Sequence, residues 1–237
     1  MLRLIRHATL QLEVGGRRFL VDPMLDPAGA RPPVANTPNQ RDNPLVDLPE
    51  PAASVVDWAD AVLVTHLHAD HLDETALALL AGKPVYCQPK DVETLRQRGL
   101  DATAVDSHVD VHGVRVTRTG GHHGTGEIGE MLGPVSGFVI GDVYVAGDTI
   151  WCDEVADALA AHRPSTVIVN ASGARFLEGD PIVMTIDDVA AVCDAAPDAT
   201  VVTVHLEAIN HCLETRADVA AALGDRVRIP GDGAVFG

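Results

Sequence analysis

The order of apolar patterns along the 237 residues predicts an α/β fold in which helices cover β-sheets. Two observations carry this. Three β-type runs stand together at the start, and from Ala61 onward strands alternate with helical segments. Hydrophobic residues make up 46% of the chain, enough for a packed core. No repeat or composition shift divides it, so residues 1–237 read as one domain.

The opening runs are LRLIR, LQLEV and RRFLV, and Gly15-Gly16 supplies the left-handed turn of a hairpin between the last two. A proline-rich irregular segment follows from Asp22 to Pro51. Loops of that length in compact proteins are usually lids or binding loops, so this one is expected to help select the substrate. AVLVT is then a strand, DETALALLAG a helix, PVYCQ a strand, and PKDVETLRQRG a helix with Pro89 near its start. VRVTRT, GFVIG and VYVAG are strands, the last two joined by a hairpin at Gly141-Asp142. EVADALAAH, IDDVAAVCDAA and TRADVAAALG are helices, interleaved with the strands STVIVN and TVVTVH.

The formal charge of −17 argues against a nucleic-acid backbone or an anionic membrane surface as partner. No apolar run approaches the roughly 20 residues that span a bilayer, and MLRLIRHATL does not read as a secretory signal. Cys87, Cys152, Cys193 and Cys212 are widely spaced and read as buried small hydrophobes in a reducing compartment. A cytoplasmic protein acting on a small molecule, as a monomer or a homo-oligomer, is the expectation.

The chemistry concentrates in VTHLHADHLDET. His66, His68, Asp70 and His71 crowd into six residues directly after the strand AVLV. His66 and His68 share one side of an extended backbone, while Asp70 and His71 turn toward the next helix. Two adjacent groups of nitrogen and oxygen donors suit two divalent cations. Further donors stand at other strand ends: His122 and His123 in TGGHHGTGE, Asp148 in VAGDT, and His205 and His211 in VTVHLEAINH. Ligand sites of α/β proteins gather at the carboxyl ends of strands.

HLHADH resembles the HxHxDH signature of the metallo-β-lactamase-fold hydrolases, and the later His, Asp and His follow in that superfamily's order. RHATLQLEVGGRRFLVDP is similar to the start of one branch, the L-ascorbate-6-phosphate lactonase-like metal-dependent hydrolases. The resemblance implies an αββα sandwich, two mixed sheets face to face with helices on the outer faces. It also implies two divalent metals per chain, Zn²⁺ first and Mn²⁺ as the alternative. His66, His68 and one of His122 and His123 would hold the first metal. Asp70, His71 and His205 would hold the second, with Asp148 bridging. His123 is preferred over His122 because small residues follow it in HGTG, as in the branch. His68 stands where redox-active relatives carry Glu, which favours hydrolysis over diiron redox chemistry.

The expected reaction is hydrolysis of an ester-like bond, a lactone or carboxylic ester ahead of a phosphodiester, by a hydroxide shared between two metals. Asp70, Asp148 and His211 are expected to take part in the chemistry, His211 by contacting substrate or protonating the leaving group. Asp22 is placed to orient a metal-binding histidine, with an ordinary Asp-Pro turn as its alternative. His7 lies near the site or in the core, and Asn170 and Arg175 are candidates for a polar pocket wall. His108, His112 and His162 read as surface residues. GHHGTGEIGE lacks the Lys-Ser/Thr of a P-loop, so its glycines are read as allowing close approach to a metal. The competing class is a non-catalytic metal-binding sensor or interaction protein on the same fold.

Overall fold

A computed structural model describes residues 1–237. The opening hairpins are β1 (Leu2–Arg6), β2 (Thr9–Val14) and β3 (Arg17–Val21), followed after the long segment by α1 (Ala52–Asp57) and β4 (Ala61–Val64). Next come α2 (Glu74–Leu79), β5 (Pro84–Cys87), α3 (Val92–Gln97) and β6 (Asp101–Ala104). These six strands form one sheet in sequence order. It is antiparallel through β1, β2 and β3, and parallel from β3 to β6.

The second half holds β7 (His108–Val111), β8 (Val114–Thr119), α4 (Gly126–Leu132), β9 (Gly137–Ile140) and β10 (Val143–Val145). It continues through α5 (Asp153–His162), β11 (Thr166–Asn170), α6 (Ile186–Ala195), β12 (Thr200–Val204), α7 (Arg216–Leu223) and β13 (Val227–Arg228). Its strands form a seven-stranded sheet in the order β13-β12-β11-β10-β9-β8-β7. The pairs from β10 to β13 are parallel and those from β7 to β10 antiparallel.

Strand alternation sorts the core into layers. Leu4, Leu12, Phe19 and Leu63 of the first sheet meet Val116, Phe138, Ile140, Ile168 and Val202 of the second. Neighbouring positions point the other way: Leu20, Val62, Val64 and Val85 pack on Val56, Ala76 and Leu95 of the first three helices. Tyr144, Val167, Val169 and Val201 pack on Val155, Leu159, Val189, Val192 and Val219 of α5 to α7. Fully burying one such side chain is worth about 1.5–3 kcal/mol, and the two-faced pattern fixes each strand's register. The result is the αββα sandwich. Capping boxes start α6 and α7, where Thr185 pairs with Asp188 and Thr215 with Asp218.

The sequence reading missed α1, α4, β6, β7 and β13. Each is short, from two to seven residues, and α4 buries none of its side chains. Such pieces repeat their apolar spacing no more than about twice, so their neighbours do most to define them.

The segment from Asp22 to Pro51 crosses the molecule as a strap without a helix or ladder strand, apart from the isolated bridge between Arg31 and Asn43. Buried Arg6 donates to the carbonyls of Val46, Met24 and Asp26 at 2.7–2.9 Å. Burial pulls its guanidinium down to about 10, against the opposing charges of Asp73 and Asp232. Buried Asn210 ties down the middle of the strap, donating to Thr37 Oγ1 and Pro38 O at 2.8 Å. Its Oδ1 accepts from Val34 N and Asn43 Nδ2.

Candidate metal centre

The carboxyl ends of β1, β3, β4, β8, β10, β11 and β12 meet along one edge of the sandwich. Parallel alignment explains this: strands running the same way release their chains on the same side. His7 follows β1, Asp22 follows β3, and His66 to His71 follow β4. His123 lies beyond β8, Asp148 beyond β10, Asn170 ends β11, and His205 follows β12. His7, Asp22 and His205 have φ of 60°, 45° and 66°. Side chains other than glycine seldom adopt that left-handed region, and strained backbone of this kind clusters at functional sites. The His205 amide donates to the His7 carbonyl at 2.8 Å, joining the two sheets at the site.

Two groups of donors result. His66 Nε2 lies 2.9 Å and His123 Nε2 3.2 Å from His68 Nδ1. Asp70 Oδ2 lies 3.3 Å from His7 Nε2 and 3.6 Å from His205 Nε2, and His71 completes this second group. Asp148 stands between them. Its Oδ2 is 3.2 Å from His71 Nε2, 3.6 Å from His123 Nε2 and 3.9 Å from His66 Nε2, while its Oδ1 is 3.3 Å from His205 Nε2.

Partners on the far side of each ring decide which nitrogen faces inward. His71 Nδ1 donates to Asp22 Oδ2 at 2.8 Å, His123 Nδ1 to the Ile182 carbonyl at 2.8 Å, and His205 Nδ1 to Ser172 Oγ at 3.0 Å. Each leaves Nε2 turned into the cluster, the arrangement metal-binding imidazoles use. Asp22 also accepts from the amide and hydroxyl of Thr65 at 2.8 and 2.7 Å, fixing the residue before His66. Asn170 Nδ2 holds Asp148 Oδ1 at 2.6 Å.

The electrostatics follow from burial and the two carboxylates. Burial opposes the charge on His71, but Asp148 and Asp22 outweigh it and push the imidazole up to about 10. His205 is likewise raised, Asp148 overcoming burial. His7 is pressed down to about 3 by burial, then by His205, which together outweigh the opposing Asp70 carboxylate. Burial takes His123 down to about 4 and also lowers His66 and His211. Burial resists ionisation of Asp70 and Asp148, yet the surrounding histidines hold both well below the usual carboxylate range.

The donor set passes a direct test of fit to metal. His71 Nε2 and His205 Nε2 are buried without a hydrogen-bond partner, although acidic oxygens lie close. The nitrogens of His66, His68 and His123 crowd together closely enough to share one cation. Borderline nitrogen donors mixed with carboxylates match divalent zinc-type ions.

Above the cluster lies a cavity of about 370 Å³. Pro32, Val34, Leu132, Phe176, Ile182 and Ile209 make its walls apolar; Arg31, Asn43 and His211 add polar groups. The strap therefore supplies Arg31, Pro32, Val34 and Asn43 to the wall.

Of the residues singled out from sequence, His123 joins the cluster. His122 instead points outward, 2.9 Å from Glu154 on α5. Asp22 orients His71, His7 is fully buried beside Asp70, and His211 lines the cavity. Asn170 and Arg175 do not line it. Asn170 is spent on Asp148, and the Arg175 guanidinium faces the Gly173 carbonyl at 3.4 Å. His108, His112 and His162 are exposed. Sequence reasoning missed Ser172 and Arg31. The sequence around Ser172 gives no hint of its pairing with His205, 33 residues on, and Arg31 is one arginine in an aperiodic loop.

Comparison with known proteins agrees with this architecture. The family model for the Beta-lactamase superfamily domain matches residues 17–206, and the chain belongs to that superfamily, within its metallo-β-lactamase fold. More narrowly, it belongs with the UPF0173 proteins. It is 33% identical to the UPF0173 protein YddR of Bacillus subtilis, over 97% of this chain and 96% of that one. A UPF0173 metal-dependent hydrolase of Methanopyrus kandleri is 30% identical over 73% of this chain and 72% of its own. Among solved structures, a possible metal-dependent hydrolase from Veillonella parvula superposes with a TM-score of 0.94 at 31% identity, covering 98% and 97% of the two chains. An isothiocyanate hydrolase from Delia radicum gut bacteria gives 0.93 at 32% identity, covering 100% and 98%. No helix of this chain is long and apolar enough to cross a membrane.

Proposed function

We propose that the chain is a dinuclear metal-dependent hydrolase acting on a small, uncharged, largely apolar substrate at an electrophilic carbon. The observation that carries this is the floor of the cavity: imidazole nitrogens whose far sides are already bonded turn inward beside two carboxylates, under apolar walls. His66, His68 and His123 would hold one cation, and Asp70, His71 and His205 the other, with Asp148 serving both. Zn²⁺ is the first choice and Mn²⁺ the second. When bound, the cations supply a water acidified toward neutral pH and positive charge against the oxygen that gains electrons.

The chain's own groups do the rest. Asp22, Ser172 and the Ile182 carbonyl keep the histidines in register, and Asn170 keeps Asp148 from rotating. His211 lines the cavity with its Nδ1 unpartnered, so it is the group placed to hydrogen-bond the substrate's departing atom. Apolar walls exclude bulk water and favour a carbon centre, in a lactone or ester, over a charged phosphodiester, for which Arg31 is the only cationic side chain on the wall beyond the imidazoles.

A second reading within this class has specific support: the relative called an isothiocyanate hydrolase covers the whole chain. Water adding across an isothiocyanate, R–N=C=S, bonds to the central carbon. Cleavage of the C–N bond with proton transfer to nitrogen then gives the amine and carbonyl sulfide. The small apolar cavity suits such a molecule.

The test is turnover by Zn²⁺-loaded protein of phenethyl isothiocyanate, an aliphatic δ-lactone and bis(p-nitrophenyl) phosphate, beside Asp148→Ala. Turnover of a carbon electrophile that falls on the order of 10³-fold in the variant supports the proposal. Preference for the phosphodiester would reverse the substrate assignment. No turnover of any of the three by protein holding two metals per chain would favour the sensor reading.

A further inference from the structure

We infer that Arg31 is the specificity-determining residue of the cavity, reading a neutral hydrogen-bond acceptor, such as a carbonyl, on an otherwise apolar substrate. This rests on the proposed hydrolase reading of the same site and deepens it. Arg31 comes from the strap, where its backbone pairs with Asn43 in both directions at 2.8 and 2.7 Å. Its guanidinium is three-quarters buried, and its Nε lies 3.1 Å from Asp26 Oδ2.

Asp26 is itself immobilised. Its amide donates to Asp73 Oδ2 at 2.6 Å, and its Oδ1 accepts from the Thr75 hydroxyl at 2.7 Å. The guanidinium is thus anchored by its Nε. Nε and Nη2 are buried, and Nη1, the guanidinium nitrogen that is not buried, makes no hydrogen bond. A donor of a planar fork left unfilled on a cavity wall is ready to meet an acceptor brought in by a ligand.

The charge balance selects the class of acceptor. Asp26 already neutralises Arg31. A carboxylate would therefore find no unpaired positive charge at this wall. A carbonyl or similar neutral oxygen gains the hydrogen bond without the desolvation cost of a charge. Val34, Leu132, Phe176 and Ile209 then take the apolar remainder of the molecule.

The experiment measures binding of three unreactive probes to Zn²⁺-loaded protein by ligand-observed NMR: 4-phenylbutan-2-one, butylbenzene and 4-phenylbutanoate. Wild type should bind the ketone about tenfold more tightly than the hydrocarbon, a difference of about 1.4 kcal/mol. Arg31→Met should erase that preference while leaving hydrocarbon binding and metal content unchanged. Arg31→Lys keeps the ion pair with Asp26 and should retain only part of the preference; it carries the test if the methionine variant does not fold. Equal binding of ketone and hydrocarbon by wild type, a ketone preference that survives in Arg31→Met, or a carboxylate affinity that exceeds the ketone's and is lost in Arg31→Met would each overturn the inference. These results are separable from the activity itself. Loss of the ketone preference in a protein that still hydrolyses carbon electrophiles removes only the role of Arg31. An Arg31-dependent preference without turnover removes only the hydrolase reading.

Discussion

The floor and the wall of the cavity are built on opposite principles. The floor consists of side chains at the ends of strands locked in two sheets, and its inward-facing donors are backed by buried hydrogen bonds, as when Asp22 serves both Thr65 and His71. One side of the wall is a strap without regular structure, fixed to the body by Arg6, Asn210 and the bonds of Asp26 to Asp73 and Thr75. A floor made this way fixes reacting groups to a fraction of an ångström, whereas a wall made this way can change without disturbing them. Loops carried on a rigid scaffold are where proteins of one fold differ most in what they bind.

The comparison is broken most directly at Asp22, whose carboxylate belongs wholly to the floor. Asp22→Ala leaves His71 Nδ1 and the Thr65 amide and hydroxyl without their acceptor, and metal affinity should fall about 10–100-fold. Competition with a zinc chelator measures it. The pH dependence has a defined sign. In metal-free protein Asp148 and Asp22 push His71 up to about 10 from an unfolded value of 6.5. Its protonation therefore stabilises the metal-free fold fully below pH 6.5, and the contribution disappears as pH rises through about 10. Metal must displace that proton, so apparent affinity should climb with pH across the neutral range. In Asp22→Ala one of the two charges holding the proton is gone, and the climb should shift to lower pH. An affinity and pH profile equal to wild type would show that the floor does not depend on Asp22.

The same contrast explains how much the sequence could reveal. HLHADH was legible because its donors follow a four-residue apolar strand at short, fixed spacing, and Asp148 and His205 were legible because each ends a run of β-type residues. The alternation of Val62, Leu63 and Val64 between outer and inner faces is likewise written in local order. Ser172 and Ile182 were illegible because their function is a contact across tens of residues with a histidine that chemistry alone would leave free to rotate. Arg31 was hidden for a related reason. A strap has no period, so nothing local says which of its residues turns inward.

At the wall the expected effect is smaller and of another kind. Asn210→Ala removes the hydrogen bonds to Val34, Thr37, Pro38 and Asn43, leaving several buried groups unpaired, and should cost about 1–3 kcal/mol in denaturant unfolding. Metal content should stay at the wild-type level. With the strap loosened, KM should rise severalfold while kcat changes little, as loss of uniform binding requires. A fall in metal content comparable to that of Asp22→Ala would mean that floor and wall are one unit.

The smallest effect should come from the outer of two neighbours that composition cannot tell apart. His122 and His123 adjoin in one glycine-rich loop, but the chain turns between them. His123 is buried with its Nδ1 on the Ile182 carbonyl, while His122 is about half exposed and pairs with Glu154 at 2.9 Å. An exposed contact of this kind contributes little, so His122→Ala should leave stability within about 0.5 kcal/mol of wild type and metal content unchanged. His123→Ala should lower zinc per chain and turnover together, since it removes a nitrogen from the group around His68. Metal analysis of the two purified variants decides the matter. Loss of zinc from His122→Ala rather than from His123→Ala would mean that the loop turns the other way when the metals bind, and that the floor is less rigid than its hydrogen bonds imply.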